Sequence, residues 1–156
     1  MDISEKDTII SLISSGAGGS VSLVRVSGSL VPDLAKKHFR GNGSREFSGG
    51  RFYHGHIMDD SGNEIDDVIL LYFSAPNSYT GEHVLEISCH ANPFIIADIL
   101  EVFVKSGCRN AEPGEFTKRA FFNGKMDLVQ AEAVADLIMS KSKAGVKNSL
   151  MQVDGK

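Results

Sequence analysis

Three charged residues stand at positions where the surrounding pattern favours apolar side chains. Arg25 interrupts the run Val24-Arg-Val26, and Glu86 interrupts Val84-Leu-Glu-Ile87. Lys125 follows an Asn-Gly pair between two segments of helical periodicity. Because a charge that leaves water is costly unless it is paired, each of these residues needs a partner, either another side chain or a ligand.

Two interpretations of these charges are open. In the structural one, Arg25 and Glu86 form an ion pair inside a sheet. In the functional one, they bind a ligand that has an amide-like ring edge and carboxylates. Glu86 would then accept two N–H donors from the ring, while Arg25 and Lys125 hold the anionic tail.

Other reactive residue types are less informative. His54 and His56 fall on one strand face, but no cysteine or carboxylate completes a recognisable metal-ligand spacing. Cys89 and His90 are adjacent, which by itself gives no geometry of nucleophile and base. Cys89 lies in an apolar strand, so we expect it in the core.

The elements that must position these residues follow from periodicity and turn signals. Alternating or β-branched runs predict strands over 8–14, 21–27, 52–58, 66–73, 84–89 and 108–111, with a hairpin across 59–64. Helical spacing and caps predict helices over 29–39 and from 93 to a stop at Gly107, a short one between the Pro113-Gly114 turn and Asn123-Gly124, and a long one from Asp127. The helix from Pro93 is apolar nearly all round, so we expect it to be the buried helix. The glycine-rich segment 15–20 predicts a flexible connection between strands.

Composition sets further bounds. The 156 residues are 42% hydrophobic and 23% charged, which suits one soluble domain with an appendage, here 1–120 and 121–156. A net charge of −4 argues against this chain being the main nucleic-acid-binding part of the protein. Two cysteines without a secretory signal predict a reduced, cytoplasmic protein, and no apolar run reaches the length of a membrane span.

One feature points to a longer protein. The helix from Asp127 has an apolar stripe for which we find no partner in the sequence, so we expect further helices beyond this chain, with Lys156 as a boundary. Separately, the sequence contains no Gly-x-x-x-x-Gly-Lys-Ser/Thr segment, the phosphate-binding loop of one class of nucleotide hydrolases.

Several motifs together resemble the N-terminal part of the tRNA-modification GTPase family called MnmE or TrmE. They are Asp7-Thr-Ile-Ile10, Val24-Arg-Val-Ser-Gly28, Pro76-Asn-Ser-Tyr-Thr-Gly-Glu82, Val84-Leu-Glu-Ile87, Glu112-Pro-Gly-Glu-Phe-Thr-Lys-Arg-Ala-Phe121 and Asn123-Gly-Lys-Met-Asp-Leu-Val-Gln-Ala-Glu-Ala133. The last two motifs are highly specific, and the match covers almost the whole chain.

The resemblance implies a mixed α+β (α/β) fold of the tetrahydrofolate-binding type. This fold would be similar to the folate domain of glycine-cleavage aminomethyltransferase and be followed by the first helix of a helical domain. It implies a homodimer that binds 5-formyltetrahydrofolate or methylenetetrahydrofolate, with Arg25, Glu86 and Lys125 matching family folate contacts. The complete family protein would bind GTP, Mg²⁺ and K⁺ in an inserted domain. It would act with an FAD-dependent partner protein on the wobble uridine of certain tRNAs. Because these residues lack the phosphate-binding loop, we expect no GTP hydrolysis by this chain alone.

The sequence departs from the family pattern at two places. Ala17 stands where the glycine loop usually carries Arg or Lys, which removes a possible anion contact. The family's Gly-His-Gly-Gly is here Cys89-His-Ala-Asn92, which puts a role of His90 in the pocket in doubt.

Three functions therefore compete. The leading one is a folate-binding and dimerisation module for tRNA modification. A free-standing folate-dependent transferase would need a general base at the one-carbon end of the folate, and the sequence alone identifies no Asp or His for it. A purely structural dimerisation domain would keep an Arg25–Glu86 bridge beside an empty cleft.

Overall fold

A computed structural model describes residues 7–14, 18–43, 46–140 and 142–155. The chain divides into two compact units. The first comprises 1–78 and 82–111, and the second comprises 79–81 and 112–156. The predicted connection over 15–20 lies partly outside the described residues, as does Lys156. The domain boundary placed after residue 120 stays a prediction.

The first unit is built on one mixed sheet. Its strands in the described residues are β1 (Ile9–Leu12), β2 (Val21–Ser27), β3 (Phe39–Gly41), β4 (Arg51–Met58), β5 (Glu64–Phe73), β6 (Val84–His90) and β7 (Arg109–Asn110). The order across the sheet is β3-β4-β5-β6-β2-β1-β7. Neighbours are antiparallel except β1 and β7, which run parallel. The hairpin of β4 and β5 is confirmed, and so is a mixed α and β fold.

Strand alternation separates the two faces of this sheet. On one face, side chains two residues apart on β2, β5 and β6 form the core with the helices α1 (Val31–His38) and α2 (Pro93–Lys105). The core members on these strands are Val24, Val26, Val68, Leu70, Tyr72, Leu85, Ile87 and Cys89. The opposite face, here called the far face, therefore carries the alternate residues.

One predicted helix ends earlier than expected. The helix predicted over 29–39 ends at His38, because Phe39 has extended backbone angles and pairs with Ile57 in β3. The Phe39 ring also lies edge-on to Phe47, at a centroid distance of 5.8 Å. Aromatic packing and strand pairing therefore outweigh continuation of the helix, and β3 was not predicted.

The expectation that the helix from Pro93 is buried all round is wrong. Only Ile99, Val102 and Phe103 of α2 are buried, whereas the side chain of Phe94 is 81% exposed. A helix lying on one face of a sheet buries a single stripe, so the apolar residues of the other side stay in solvent. The Asn92 cap is present, since its side-chain oxygen accepts from the N–H of Phe94 at 2.9 Å.

His38 is a buried polar residue that ties three elements of the first unit together. Its Nδ1 lies 3.2 Å from the carbonyl of Met58, and its Nε2 lies 2.8 Å from Oγ of Ser106. Since a carbonyl only accepts, Nδ1 carries the proton and Nε2 accepts from the Ser106 hydroxyl. Burial lowers the pKa of His38, because it disfavours the charged ring.

The second unit is helical where it is described. It contains α3 (Glu115–Phe122), α4 (Leu128–Met139) and α5 (Lys143–Val153). The capping box predicted at the start of α4 is confirmed, with Asp127 and Gln130 bonding each other's backbone N–H. Within the described residues, no helix has both the length and the apolar character needed to cross a bilayer.

The helix that begins after Asp127 is shorter than the long helix predicted there. It ends at Met139, and a separate helix begins at Lys143. Two serine hydroxyls explain the break, because the Ser140 hydroxyl donates to the carbonyl of Asp136 at 2.8 Å and Ser142 caps α5 through the N–H of Gly145 at 3.1 Å. The stripe is poorly covered in this chain, since Ile138 is 76% exposed and Met139 73%.

Candidate functional site

Arg25 and Glu86 lie directly opposite each other on β2 and β6, at the far face. Nη2 of Arg25 is 3.2 Å from Oε1 of Glu86, and Nε is 3.3 Å from the same oxygen. The two side chains are 18% and 16% exposed, so the pair is largely shielded from solvent. The ion pair that the sequence left open is therefore present.

The local sequence explains why the charges end up together. Val24 and Val26 flank Arg25, and Leu85 and Ile87 flank Glu86, so both strands have the same alternation. The four apolar residues enter the core, and the two charges are left on the far face at the same level of the sheet. A shift of one residue in the register between β2 and β6 would turn one of the two strands over and place its charge in the core, so the apolar neighbours fix the pairing.

Glu86 keeps hydrogen-bonding capacity beyond this pair. The two bonds that Arg25 donates to Glu86 go to Oε1, and among the described residues none is made to Oε2. An ionised carboxylate has about four acceptor positions. The carboxylate can thus hold Arg25 and accept further N–H donors at the same time.

The surroundings of the pair on the far face are partly apolar. The cross-strand neighbour of Glu86 on β5 is Leu71, and Leu71 faces Phe52 on β4. Phe52 is 75% exposed, Ile69 45% and Val21 58%. The far face thus combines a half-buried charged pair with exposed apolar side chains, which a second molecule could cover.

Further along β6, the same face carries His90, whose partner the sequence analysis missed. Nδ1 of His90 lies 2.9 Å from Oδ1 of Asp66, and the backbone N–H of His90 donates to Oδ2 at 2.8 Å. Asp66 is only 8% exposed. Asp66 shares the alternation phase of Val68 and Leu70, so a carboxylate in the core phase of a strand was the signal that could have identified it.

The other two strand histidines also pair with carboxylates. Nε2 of His54 lies 2.6 Å from Asp67, and Nε2 of His56 lies 3.0 Å from Glu64. All four side chains are at least 40% exposed. Within the part of the chain that the structure describes, no group of three or more candidate ligands is placed to hold a metal ion.

Lys125 belongs to the second unit, between α3 and α4. Its N–H donates to the carbonyl of Ala120 at 2.8 Å, and Asn123 donates through Nδ2 to the carbonyl of Thr80 at 2.8 Å. Gly81 has a φ of +82°, and a Cβ there would lie 3.0 Å from Cβ of Asn123 and 3.3 Å from Cγ of Lys125. Glycine at position 81 therefore allows close approach of the linker that carries Lys125.

The structure thus brings Arg25 and Glu86 together within one unit, while Lys125 lies in the other. The grouping of all three residues around one ligand stays a prediction. Both cysteines are buried free thiols, and burial raises the pKa of Cys89 to about 11 and that of Cys108 to about 12. Neither is therefore an activated nucleophile, and the core position predicted for Cys89 is confirmed.

Comparison with known proteins gives the family. The sequence profile described as "GTP-binding protein TrmE N-terminus" matches residues 8–125. A protein named tRNA modification GTPase MnmE from Aquifex aeolicus is 45% identical over 150 residues, which cover 96% of this chain and 33% of that protein. Proteins of the same name from Thermotoga maritima and Geobacter sulfurreducens are 42% identical over 149 residues and 41% identical over 152. These two alignments cover 96% and 97% of this chain, and 32% and 33% of the respective relatives.

The chain spans about a third of the length of these curated relatives. The profile covers both stretches that carry the candidate charges, from the first strands to Lys125. On this match, which extends over most of the described sheet and over α3, the chain belongs to the family of the TrmE N-terminus.

Proposed function

We propose that this chain is the folate-binding and dimerising module of a tRNA-modification GTPase. The name of its relatives supports a role in tRNA modification. The motifs around Arg25, Glu86 and Lys125 support a folate as the ligand. The rest of such a protein would supply GTP hydrolysis with Mg²⁺ and K⁺. It would work in the cytoplasm with an FAD-dependent partner protein on the wobble uridine of tRNA.

The observation that carries the folate proposal is that the shielded Glu86 carboxylate keeps one oxygen to which Arg25 does not bond. Arg25 uses only Oε1, and the pair is 18% and 16% exposed. A tetrahydrofolate ring presents an amino group and a ring N–H side by side, which a carboxylate can accept together. Shielding from water strengthens such bonds, so the residues present fit the ring of a reduced folate.

Under this proposal the three residues have distinct roles. Glu86 accepts from the ring, and Arg25 orients Glu86 and contributes positive charge for the anionic part of the ligand. Lys125 binds a carboxylate of the tail. The fold would then be of the tetrahydrofolate-binding type, and the bound ligand would supply a one-carbon unit to the modification reaction.

The exposed side of the far face supports the homodimer. Val21, Phe52 and Ile69 are each at least 45% exposed, so three large apolar side chains of one sheet face meet water. A second copy related by a two-fold axis covers such a surface with an identical one. The helices α1 and α2 pack on the core side of the seven-stranded sheet, so neither covers these three side chains.

One alternative has an observation in its favour. Arg25 and Glu86 bond each other directly, as expected for a structural dimerisation domain. Isothermal titration of this chain with 5-formyltetrahydrofolate separates the two. Saturable binding that Glu86→Ala weakens and His54→Ala leaves unchanged supports the folate module, because His54 lies on the same face but outside the pair. Absence of binding by the wild-type chain rules out the folate module in favour of the structural domain.

A further inference from the structure

Among the three histidine–carboxylate pairs on this sheet, the His90–Asp66 pair differs in the burial of its acid. The carboxylates of Asp67 and Glu64 are 50% and 52% exposed, so water competes for both. Asp66 is 8% exposed, whereas the ring of His90 is 65% exposed. A solvent-facing imidazole is thus held by a carboxylate that has little other hydration.

The ring nitrogens of the pairs are also used differently. In the exposed pairs the acid binds Nε2 of the histidine, at 2.6 Å for His54 and 3.0 Å for His56. In His90 the acid binds Nδ1, at 2.9 Å. An ionised carboxylate only accepts, so Nδ1 of the neutral ring carries the proton and Nε2 keeps its lone pair. Among the described residues, no hydrogen bond to Nε2 of His90 is present.

The position of His90 relates it to the candidate ligand site. His90 and Glu86 lie on the same strand and the same face, four residues apart. At about 3.3 Å per residue, their Cα atoms are separated by about 13 Å. Arg25 and Val21 flank the two residues on β2, since Val21 is the cross-strand partner of His90. An elongated ligand with its ring at Glu86 reaches His90 if it extends along β6.

We propose that His90, oriented by Asp66, is a second ligand-binding group of the far face. Its Nε2 accepts a hydrogen bond from an N–H or O–H group of an elongated ligand whose other end binds Glu86. This inference rests on the proposed folate function, since a reduced folate has a ring at one end and an amide N–H towards the other. Asp66 acts through His90 as a positioning residue, because its carboxylate fixes which nitrogen is left to accept.

A purely structural role for the pair has a different consequence. The backbone N–H of His90 already binds Oδ2 of Asp66 at 2.8 Å and ties the end of β6 to β5. Replacing the His90 ring by Ala keeps that backbone bond. If the pair is only structural, His90→Ala leaves ligand affinity unchanged.

The test measures the affinity of the wild-type chain, His90→Ala and His54→Ala for 5-formyltetrahydrofolate by isothermal titration. His54 is the matched control, because its ring is 66% exposed on the same face and its Nε2 is already bonded. We expect His90→Ala to weaken binding about fivefold, the effect of one neutral hydrogen bond. His54→Ala should keep the wild-type affinity.

Reaction with diethylpyrocarbonate gives an independent readout in the wild-type chain. The reagent attacks unprotonated imidazole nitrogen, and mass spectrometry locates the modified histidine. We expect 5-formyltetrahydrofolate at about 100 times its Kd to slow modification of His90 about a hundredfold, while modification of His54 continues. Asp66→Asn should also lower affinity, with a changed ring ¹⁵N spectrum of His90 showing altered proton placement.

The outcomes separate the two proposals. If the wild-type chain binds the folate but His90 is neither protected nor needed for affinity, the role of His90 is overturned and the folate proposal stands. If the wild-type chain shows no binding, the folate proposal and the role of His90 fall together. Protection of His90 together with the fivefold loss supports both.

Discussion

Removal of the Glu86 carboxylate is the most direct perturbation of the proposed site. In Glu86→Ala, the two N–H donors of the folate ring lose their acceptor inside a site whose side chains are less than 20% exposed. Hydrogen bonds to a charged group are worth about 2–3 kcal/mol, and donors left without a partner add to the loss. We therefore expect the Kd for 5-formyltetrahydrofolate to rise roughly thirtyfold to hundredfold.

The same substitution also affects folding, because it leaves Arg25 without the carboxylate that lies 3.2 Å away. Breaking an exposed pair costs at most about 1 kcal/mol, and breaking a fully buried one costs about 3–5 kcal/mol. With 18% and 16% exposure the pair is intermediate, so we expect the free energy of unfolding to fall by about 2 kcal/mol. Urea denaturation measures this change at the temperature of the binding assay.

Ser88→Ala is the control for both measurements. Ser88 lies two residues along β6 on the same face, and the substitution removes a hydroxyl without removing charge. We expect it to change stability and affinity by no more than about 0.5 kcal/mol. If Glu86→Ala keeps full folate affinity while its unfolding free energy falls as expected, Glu86 is structural and the site assignment is wrong.

Three further predictions concern other parts of the molecule. Lys125→Ala should weaken folate binding by only about 1 kcal/mol, because Lys125 is exposed and its ammonium would meet a hydrated tail carboxylate; a calorimetric loss as large as that of Glu86→Ala would contradict this. His38 has a lowered pKa in the folded state, so the unfolded chain binds its proton first and the unfolding free energy should fall as the pH drops below about 6.5. Urea titrations at pH 7.5 and 5.5 should show that the unfolding free energy falls less for His38→Gln than for the wild-type chain. Equal falls in the two proteins would refute this role of His38. Light scattering at high micromolar concentration should show a dimer, and Phe52→Asp should shift it to monomer; a wild-type monomer would count against the interface.

The sequence located the charged pair because charge stands out within an apolar alternation. Val24-Arg-Val26 and Leu85-Glu-Ile87 each place one charge on the face opposite to the core. The sequence left the register open, since Arg25 and Glu86 are 61 residues apart and a strand pairing of that range depends on the whole sheet. The sequence could therefore suggest that the two charges pair, but it could not determine the geometry of the pair.

Other features escaped prediction for local reasons. Asp66 was missed because adjacent acidic residues at the start of a strand resemble a solvated turn, although position 66 is in phase with the core. The break between α4 and α5 was missed because no glycine or proline stands between Met139 and Lys143, while the hydroxyls of Ser140 and Ser142 favour backbone bonds of their own. In both cases the bonds of polar side chains decided the local structure.

The charged pair can stabilise the fold and bind a ligand at the same time. A comparison of Arg25→Ala with Glu86→Ala separates these two roles. Arg25→Ala and Glu86→Ala each remove the same ion pair, so each should lower the unfolding free energy by a similar amount, about 2 kcal/mol. Their effects on affinity should differ, because only Glu86 offers Oε2 to the folate ring, whereas Arg25 supports Glu86 and the anionic part of the ligand. We therefore expect the Kd of Arg25→Ala to rise less than that of Glu86→Ala when both are measured by calorimetry under identical conditions. Equal losses of affinity would show that the pair acts only as a unit that shapes the face, and that Glu86 makes no bond of its own to the ring.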